Sequence, residues 1–189
     1  MVLMFFGMQT SLSMVYDREM GTMRLLMTAP FPRSLLLLFH LISTGLIGVL
    51  QVYAFLLIAR LMGIEFAPLN LLFAAPVLFL SALMFGALGF LLSLTIRQLE
   101  NFAGVMNFII FPSFFMSSAL YPLWRIRESS PLLADISFWN PFNHAVEAIR
   151  YQLYGEFNAQ SFAYLLAVTC ASLLSVMFSY TSHDVMKTH

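Results

Sequence analysis

"LLFAAPVLFLSALMFGALGFLLSLTI", residues 71–96, is the stretch whose reading decides the fold. It carries no charged side chain, and its polar groups are the hydroxyls of Ser81, Ser93 and Thr95. At about 1.5 Å of rise per residue it is long enough to cross the roughly 30 Å hydrocarbon core of a bilayer as one helix. In hydrocarbon the backbone must satisfy its own hydrogen bonds, so a lone apolar run of this length resolves as helix.

The same reading extends outward. Upstream, Arg60 to Asn70 is a short polar turn with Glu65 and Pro68, and Leu35 to Ala59 is a second full span in which only His40 and Gln51 are strongly polar. Downstream comes a charged turn, "RQLEN", at Arg97 to Asn101, then a span over about Phe102 to Tyr121. Pro112 removes one backbone hydrogen bond there and predicts a kink. The last span, about Ser161 to Thr181, sets Ala163, Ala167, Ala171, Ser175 and Ser179 four residues apart. Small residues at that spacing form one helix face that admits a close neighbour. Residues 1–16 are apolar but too short for a complete span and read as the end of a helix that begins earlier.

Composition agrees. Of 189 residues, 60% are hydrophobic and only 10% charged, and mean hydropathy is +0.85. Soluble domains carry roughly 25% charged residues. The expected fold is all-α: a single polytopic membrane domain over residues 1–189, with about four complete spans and a partial one at the N-terminus. Formal net charge is zero, which gives no indication of a nucleic-acid partner. The single cysteine, Cys170, excludes an internal disulfide and reads as a small packing residue. A basic leader with a small-residue cleavage site is not evident.

Residues 122–160 form the longest non-spanning stretch. Within it "NPFNHAVEAIRYQLYG", residues 140–155, predicts a helix with Asn140 as N-cap, Pro141 in the first turn and Gly155 beyond the end. It is too short to cross and suits a helix that lies at the membrane face or dips in and out. Basic residues divide five to four: Arg18, Arg24, Arg33, Arg97 and Lys187 on one side, Arg60, Arg125, Arg127 and Arg150 on the other. The compact loop at 17–33, with three arginines, tips toward the cytoplasm.

That loop, "YDREMGTMRLLMTAPFPRS", opens on the charged cluster Asp17-Arg18-Glu19. Two carboxylates suit a helix N-terminus, and Met20, Met23, Leu26 and Met27 then recur at helical spacing as an apolar stripe. Pro30 and Pro32 stop the run. The pattern predicts a surface helix of about three turns, either a solvated connector or an element that docks on a partner, since Met-rich faces adapt to a partner's groove.

The loop resembles the cytoplasmic loop of ABC-2 type permeases, the membrane subunits of ABC exporters. The features that match are the acidic–basic–acidic cluster Asp17, Arg18, Glu19, then Gly21 and Thr22, the Leu-rich turn at Leu25 and Leu26, and Pro30. "NPFNHAVEAIRYQLYG" similarly resembles the family's external segment through Asn140, Pro141, Arg150 and Gly155, and "FPSFFMSSALYPLW" resembles its stretch closing the fifth span. Family members usually have six spans, so the resemblance implies that the first span and the start of the second are missing. It further implies that the loop helix, with Arg24, couples to a separate cytoplasmic ABC ATPase. It also implies that the external helices around Asn140, Pro141, Glu147, Arg150 and Gly155 cap the outer end of the pathway. Two permeases, identical or different, would pair in the plasma membrane, of the bacterial inner-membrane kind.

The residues add a constraint of their own. A phosphate-binding loop needs G-x-x-x-x-G-K-[ST], and the single lysine, Lys187, has no such glycines before it. The expectation is therefore a chain with no cofactor of its own, ATP and Mg being bound by the partner ATPase. The rival classes are a membrane-embedded enzyme and a passive assembly protein. For the enzyme, His40 is the ionisable residue well inside a span, and it reads as a hydrogen-bonded packing or interfacial residue. No G-x-S-x-G or H-E-x-x-H pattern occurs, and His144, His183 and His189 have no metal-ligand spacing.

Overall fold

The computed structural model describes residues 1–20, 33–96, 99–121 and 123–185. Eight helices run through these residues, which contain no strand. They are α1 (Val2–Glu19), α2 (Arg33–Leu61), α3 (Pro68–Thr95), α4 (Leu99–Phe115), α5 (Leu123–Ser129), α6 (Pro131–Trp139), α7 (Pro141–Leu153) and α8 (Ala159–Val185). The all-α polytopic expectation holds. Three helices have the length and apolarity to cross a bilayer, with spans at Leu35–Leu61, Pro68–Thr95 and Ala159–Phe178.

The expected fourth full span is shorter than the sequence implied. α4 has 17 residues and closes at Phe115 rather than Tyr121. The chain turns there because the next amides find other acceptors. Ser117 N–H bonds the Phe114 carbonyl in a tight turn, and Ser118 N–H donates to the Asn143 Oδ1 at 2.8 Å. Pro112 lies inside α4 as expected, and α3 holds a second internal proline, Pro76.

α3 is the hub. In its most apolar eighteen-residue stretch 61% of the residues are buried, against 28% in those of α2 and α8, and it packs against α1, α2, α7 and α8. A helix apolar all round belongs in the middle of a bundle. Its smallest residues set the closest approach. A Cβ added at Gly7 of α1 would lie 2.9 Å from the Phe85 Cβ and 3.0 Å from the Gly86 nitrogen, so the two backbones nearly touch. Further along, a Cβ at Gly89 would meet Ser11. The pairing of residue 7 with 85–86 and 11 with 89 makes α1 and α3 parallel.

That direction fixes the two ends of the bundle. The C-termini of α1, α3 and α8 share one end with the N-termini of α2 and α4. The turn between α2 and α3 and the short helices α5 to α7 lie at the other. The main core joins Leu3, Met4 and Val15 of α1 to Leu78, Met84 and Phe85 of α3, and to Ile110, Phe142 and Leu165 of α4, α7 and α8. A second cluster, Met14, Leu37, Leu41, Phe90 and Val176, holds the opposite end together.

Candidate functional site

Two places carry the polar side chains that the apolar bundle does not need. The first is the hairpin of α6 and α7. Asn140 ends one helix and begins the next: its N–H bonds the Ser137 carbonyl, and its Oδ1 accepts the Phe142 N–H at 3.0 Å. Pro141 follows as the first residue of α7, where its missing N–H costs nothing. The sequence reading of this cap holds. The Asn140 amide nitrogen also donates to the Ser113 carbonyl at 2.7 Å, so the same side chain fastens the hairpin to α4.

α7 then makes a row of ties. The Phe142 ring packs on Phe85 of α3 and Phe114 of α4, with centroids 5.9 and 6.1 Å apart. Asn143 is fully buried and holds Ser118. His144 is buried between α6 and α8: Nε2 lies 2.7 Å from the Phe138 carbonyl of α6, Nδ1 lies 3.4 Å from the Ser161 hydroxyl of α8, and the ring stacks on Tyr164 of α8 at 4.0 Å. With a carbonyl as its partner, Nε2 carries the proton. The Tyr164 hydroxyl donates to the Trp139 carbonyl at 2.8 Å, closing the α6–α8 seam.

Arg150 donates to the Ser118 carbonyl at 2.7 Å and pairs with Glu147 one turn earlier at 3.5 Å. α7 ends as predicted. Gly155 has φ +83, a conformation that a side chain would strain, and the Asn70 amide of α3 donates to the Leu153 carbonyl at 3.1 Å. The structure therefore places Pro141, Glu147 and Arg150 on α7, with Asn140 as its N-cap and Gly155 just beyond its end. Sequence reasoning missed Asn70, Ser118, Asn143, His144 and Tyr164. A polar pair, Asn143-His144, inside an otherwise apolar first turn was the available signal.

The second place is the end of α1. The helix continues through Glu19, so Asp17-Arg18-Glu19 forms its last turn rather than the head of a separate helix. The correction has a physical reason: the apolar residues Leu3, Met4, Met14 and Val15, buried in the bundle, run along α1 to within two residues of Asp17 and carry the helix on through the charged cluster without a break. Met20, which follows in a turn, is exposed. Gly21, Thr22, Arg24, Leu25, Leu26 and Pro30 lie outside the described residues.

The small-residue stripe of α8 faces outward. Ala163, Ala167, Ala171 and Ser175 are exposed, and Ser179 carries no described side chain. The face that packs within the chain is a different one, Ser161, Leu165, Thr169, Ser172 and Val176. Cys170, expected as a packing residue, is exposed on the outer surface.

The chain matches the family model of the ABC-2 type transporter over residues 1–154. It is also similar to ycf38 of Cyanophora paradoxa, a protein named provisionally as a transport permease. The two are 31% identical over 150 residues, covering 77% of this chain and 50% of that protein. The chain thus spans about half the length of the curated relative it matches. No solved structure matches.

Proposed function

The chain belongs to the ABC-2 type transporter family, and on that premise we propose that it is the membrane-spanning permease subunit of an ATP-driven exporter. The observation that carries the reading is the placement of its charges. The Asp17-Arg18-Glu19 turn emerges from the bundle at the end where α2, α3 and α4 also begin or finish, and the sealed hairpin lies at the other. A device that converts movement on one side of a membrane into opening on the other needs a handle at one end and a closure at the opposite end.

The handle is the segment from Asp17 to Pro30, including Gly21, Thr22, Arg24, Leu25 and Leu26, which docks on a separate cytoplasmic ATPase. That subunit binds ATP and Mg. This chain's part is mechanical: α1 shares its crossing at Gly7 and Ser11 with α3, so a push on its last turn is delivered to the hub of the bundle. The closure is the α6–α7 hairpin, with Asn140, Pro141, Glu147, Arg150 and Gly155, at the external side. A second permease copy pairs with the first, and the outward stripe at Ala163, Ala167, Ala171 and Ser175 supports that reading by leaving a low-relief helix face open to a neighbour. The setting is the plasma membrane, of the bacterial inner-membrane type.

Cross-linking tests the handle. With Cys170 replaced by Ser, a Met23→Cys variant treated in membranes with a short thiol-to-amine cross-linker is expected to capture a protein bearing a P-loop. Capture of no ATPase from position 23, while cysteines placed at the hairpin behave identically, overturns the assignment.

A further inference from the structure

A groove runs down the outer side of α2 toward its C-terminal end. It has a volume of about 400 Å³, and its lining includes Leu50, Tyr53, Ala54, Leu57 and Arg60 of α2, with Leu71 of α3 as the facing wall. The Tyr53 hydroxyl donates to the Leu71 carbonyl at 2.6 Å and ties the two walls together. Leu50 and Leu57 are 70% and 61% exposed, so the groove opens to the bilayer rather than to the bundle. From Leu50 to Arg60 is about 15 Å of helix, half of the roughly 30 Å hydrocarbon core and hence the depth of one leaflet.

Arg60 stands at the shallow end of this apolar strip, and its guanidinium is not spent elsewhere. The closing carbonyls of α2 have backbone partners: Ile58 receives the Met62 N–H, Ala59 the Ile64 N–H and Arg60 the Gly63 N–H. Among the described residues, Glu65 of the same turn forms no ion pair with Arg60, and no other side chain bonds it. An arginine near the end of a span reaches out to the headgroup level, where its planar fork of N–H donors matches a phosphate. Leucine walls that end one leaflet up in an unshared guanidinium have the layout of a lipid, with an acyl chain along the leucines and a phosphodiester at the arginine. A zwitterionic headgroup brings its own ammonium and leaves the charge of Arg60 uncompensated. A headgroup with one net negative charge neutralises it.

We propose that this groove holds a resident anionic glycerophospholipid of the leaflet on the hairpin side, its phosphodiester on Arg60 and one acyl chain against Leu50, Ala54 and Leu57. The lipid is a fixed constituent of the bundle's edge and not cargo: the groove is walled by α2 and α3 and includes no residue of α1, α4 or α7. It bridges the last turns of α2 to the start of α3, which Tyr53 already joins. Its binding is independent of any ATPase partner and is read without nucleotide.

Native mass spectrometry of the full chain, delipidated and released from detergent, tests the site. The probes are palmitoyl-oleoyl phosphatidylglycerol, phosphatidylcholine with the same chains, and the corresponding diacylglycerol, which has no phosphate. The expected result is saturable binding of phosphatidylglycerol about tenfold tighter than of the other two, with Arg60→Gln abolishing the preference; tenfold is the scale of one charge-assisted hydrogen bond. Ala54→Trp, which fills the groove and leaves Arg60 in place, is expected to weaken binding by a similar factor. Both positions are exposed, so the variants keep the fold. Arg127→Gln, which removes an exposed arginine of α5, is the control and should bind as wild type does. Absence of a saturable phosphatidylglycerol adduct overturns the proposal. So does binding that either groove variant leaves untouched, equal binding of phosphatidylcholine, or an equal loss with Arg127→Gln.

Discussion

The Arg150 guanidinium donates from Nη2 to the Ser118 carbonyl oxygen at 2.7 Å, joining α7 to a turn thirty-two residues earlier. The same guanidinium meets Glu147 at 3.5 Å. One side chain thus holds the end of α4 against the hairpin, in a stretch where Asn143 binds the N–H of that same Ser118.

Arg150→Ala is expected to destabilise the protein by about 1–3 kcal/mol, because it strips a partner from a carbonyl and a carboxylate together. Arg150→Lys keeps the charge but loses the planar fork that reaches both groups, and falls between the two. Thermal unfolding in detergent measures the order; an alanine variant as stable as wild type refutes the tie.

Asn140→Ala removes the cap of α7 and the bond to the Ser113 carbonyl. The cap alone contributes about 1 kcal/mol. Asn140→Asp should not restore stability, although aspartate is a good cap by itself. Its second oxygen would face the carbonyls of Ser113 and Met116, at 2.7 and 3.5 Å from the present amide nitrogen. An aspartate variant as stable as wild type would show that the bond to α4 contributes nothing.

These two positions show what the sequence could and could not disclose. Asn140, Pro141 and Gly155 were legible because capping is local: an oxygen at the right offset, a proline at the first turn, and a glycine where φ is positive need nothing from the rest of the chain. Ser118, Asn70 and Tyr164 were not, because each acts on a partner far along the sequence, and a serine in "MSSALY" has no periodicity to mark it. Asp17 to Glu19 was legible as the charged end of the first apolar run. Its assignment to a new helix failed because carboxylates favour a helix start, yet burial of Met14 and Val15 carried α1 through them. The spans at 35–59 and 71–96 were plain from length and apolarity. The end of α4 was set instead by a long-range bond from Asn143.

The crossing of α1 and α3 depends on Gly7. Gly7→Ala forces a methyl to within 3.0 Å of Phe85 and Gly86 backbone and side-chain atoms, and overpacking of this kind costs about 1–3 kcal/mol. Gly104→Ala is the control: nothing lies within 4 Å of its added Cβ, and alanine favours helix over glycine by about 1 kcal/mol. Thermal unfolding should fall for the first and hold or rise for the second. Equal effects would place the close approach elsewhere.

Ala171→Leu puts bulk on the outward face of α8, where Ala171 and its neighbours in the stripe are exposed. Unfolding of the single chain is expected to change by less than about 0.5 kcal/mol, the usual scale of surface substitutions, while association of two copies weakens. Gel filtration with light scattering in mild detergent reads the second effect. Unaltered association with both Ala167→Leu and Ala171→Leu excludes this face as an interface between copies.

Glu19→Lys and Gly21→Pro are expected to uncouple transport while leaving the bundle folded. The first reverses a charge in the last turn of α1, and the second puts a proline into the segment predicted to dock, where a helix would lose about 3 kcal/mol. ATP-driven export measured in membrane vesicles should drop in both; unchanged export in both removes the coupling role.

The most direct measurement of the central claim is a mild-detergent pull-down of the tagged, full-length protein from its own cells. Wild type and Glu19→Lys would be run side by side, with bound proteins identified by mass spectrometry. A P-loop ATPase recovered with wild type and depleted with Glu19→Lys is the predicted result. Recovery of no ATPase with either chain would contradict the account and leave a membrane bundle whose charged exit has nothing to hold.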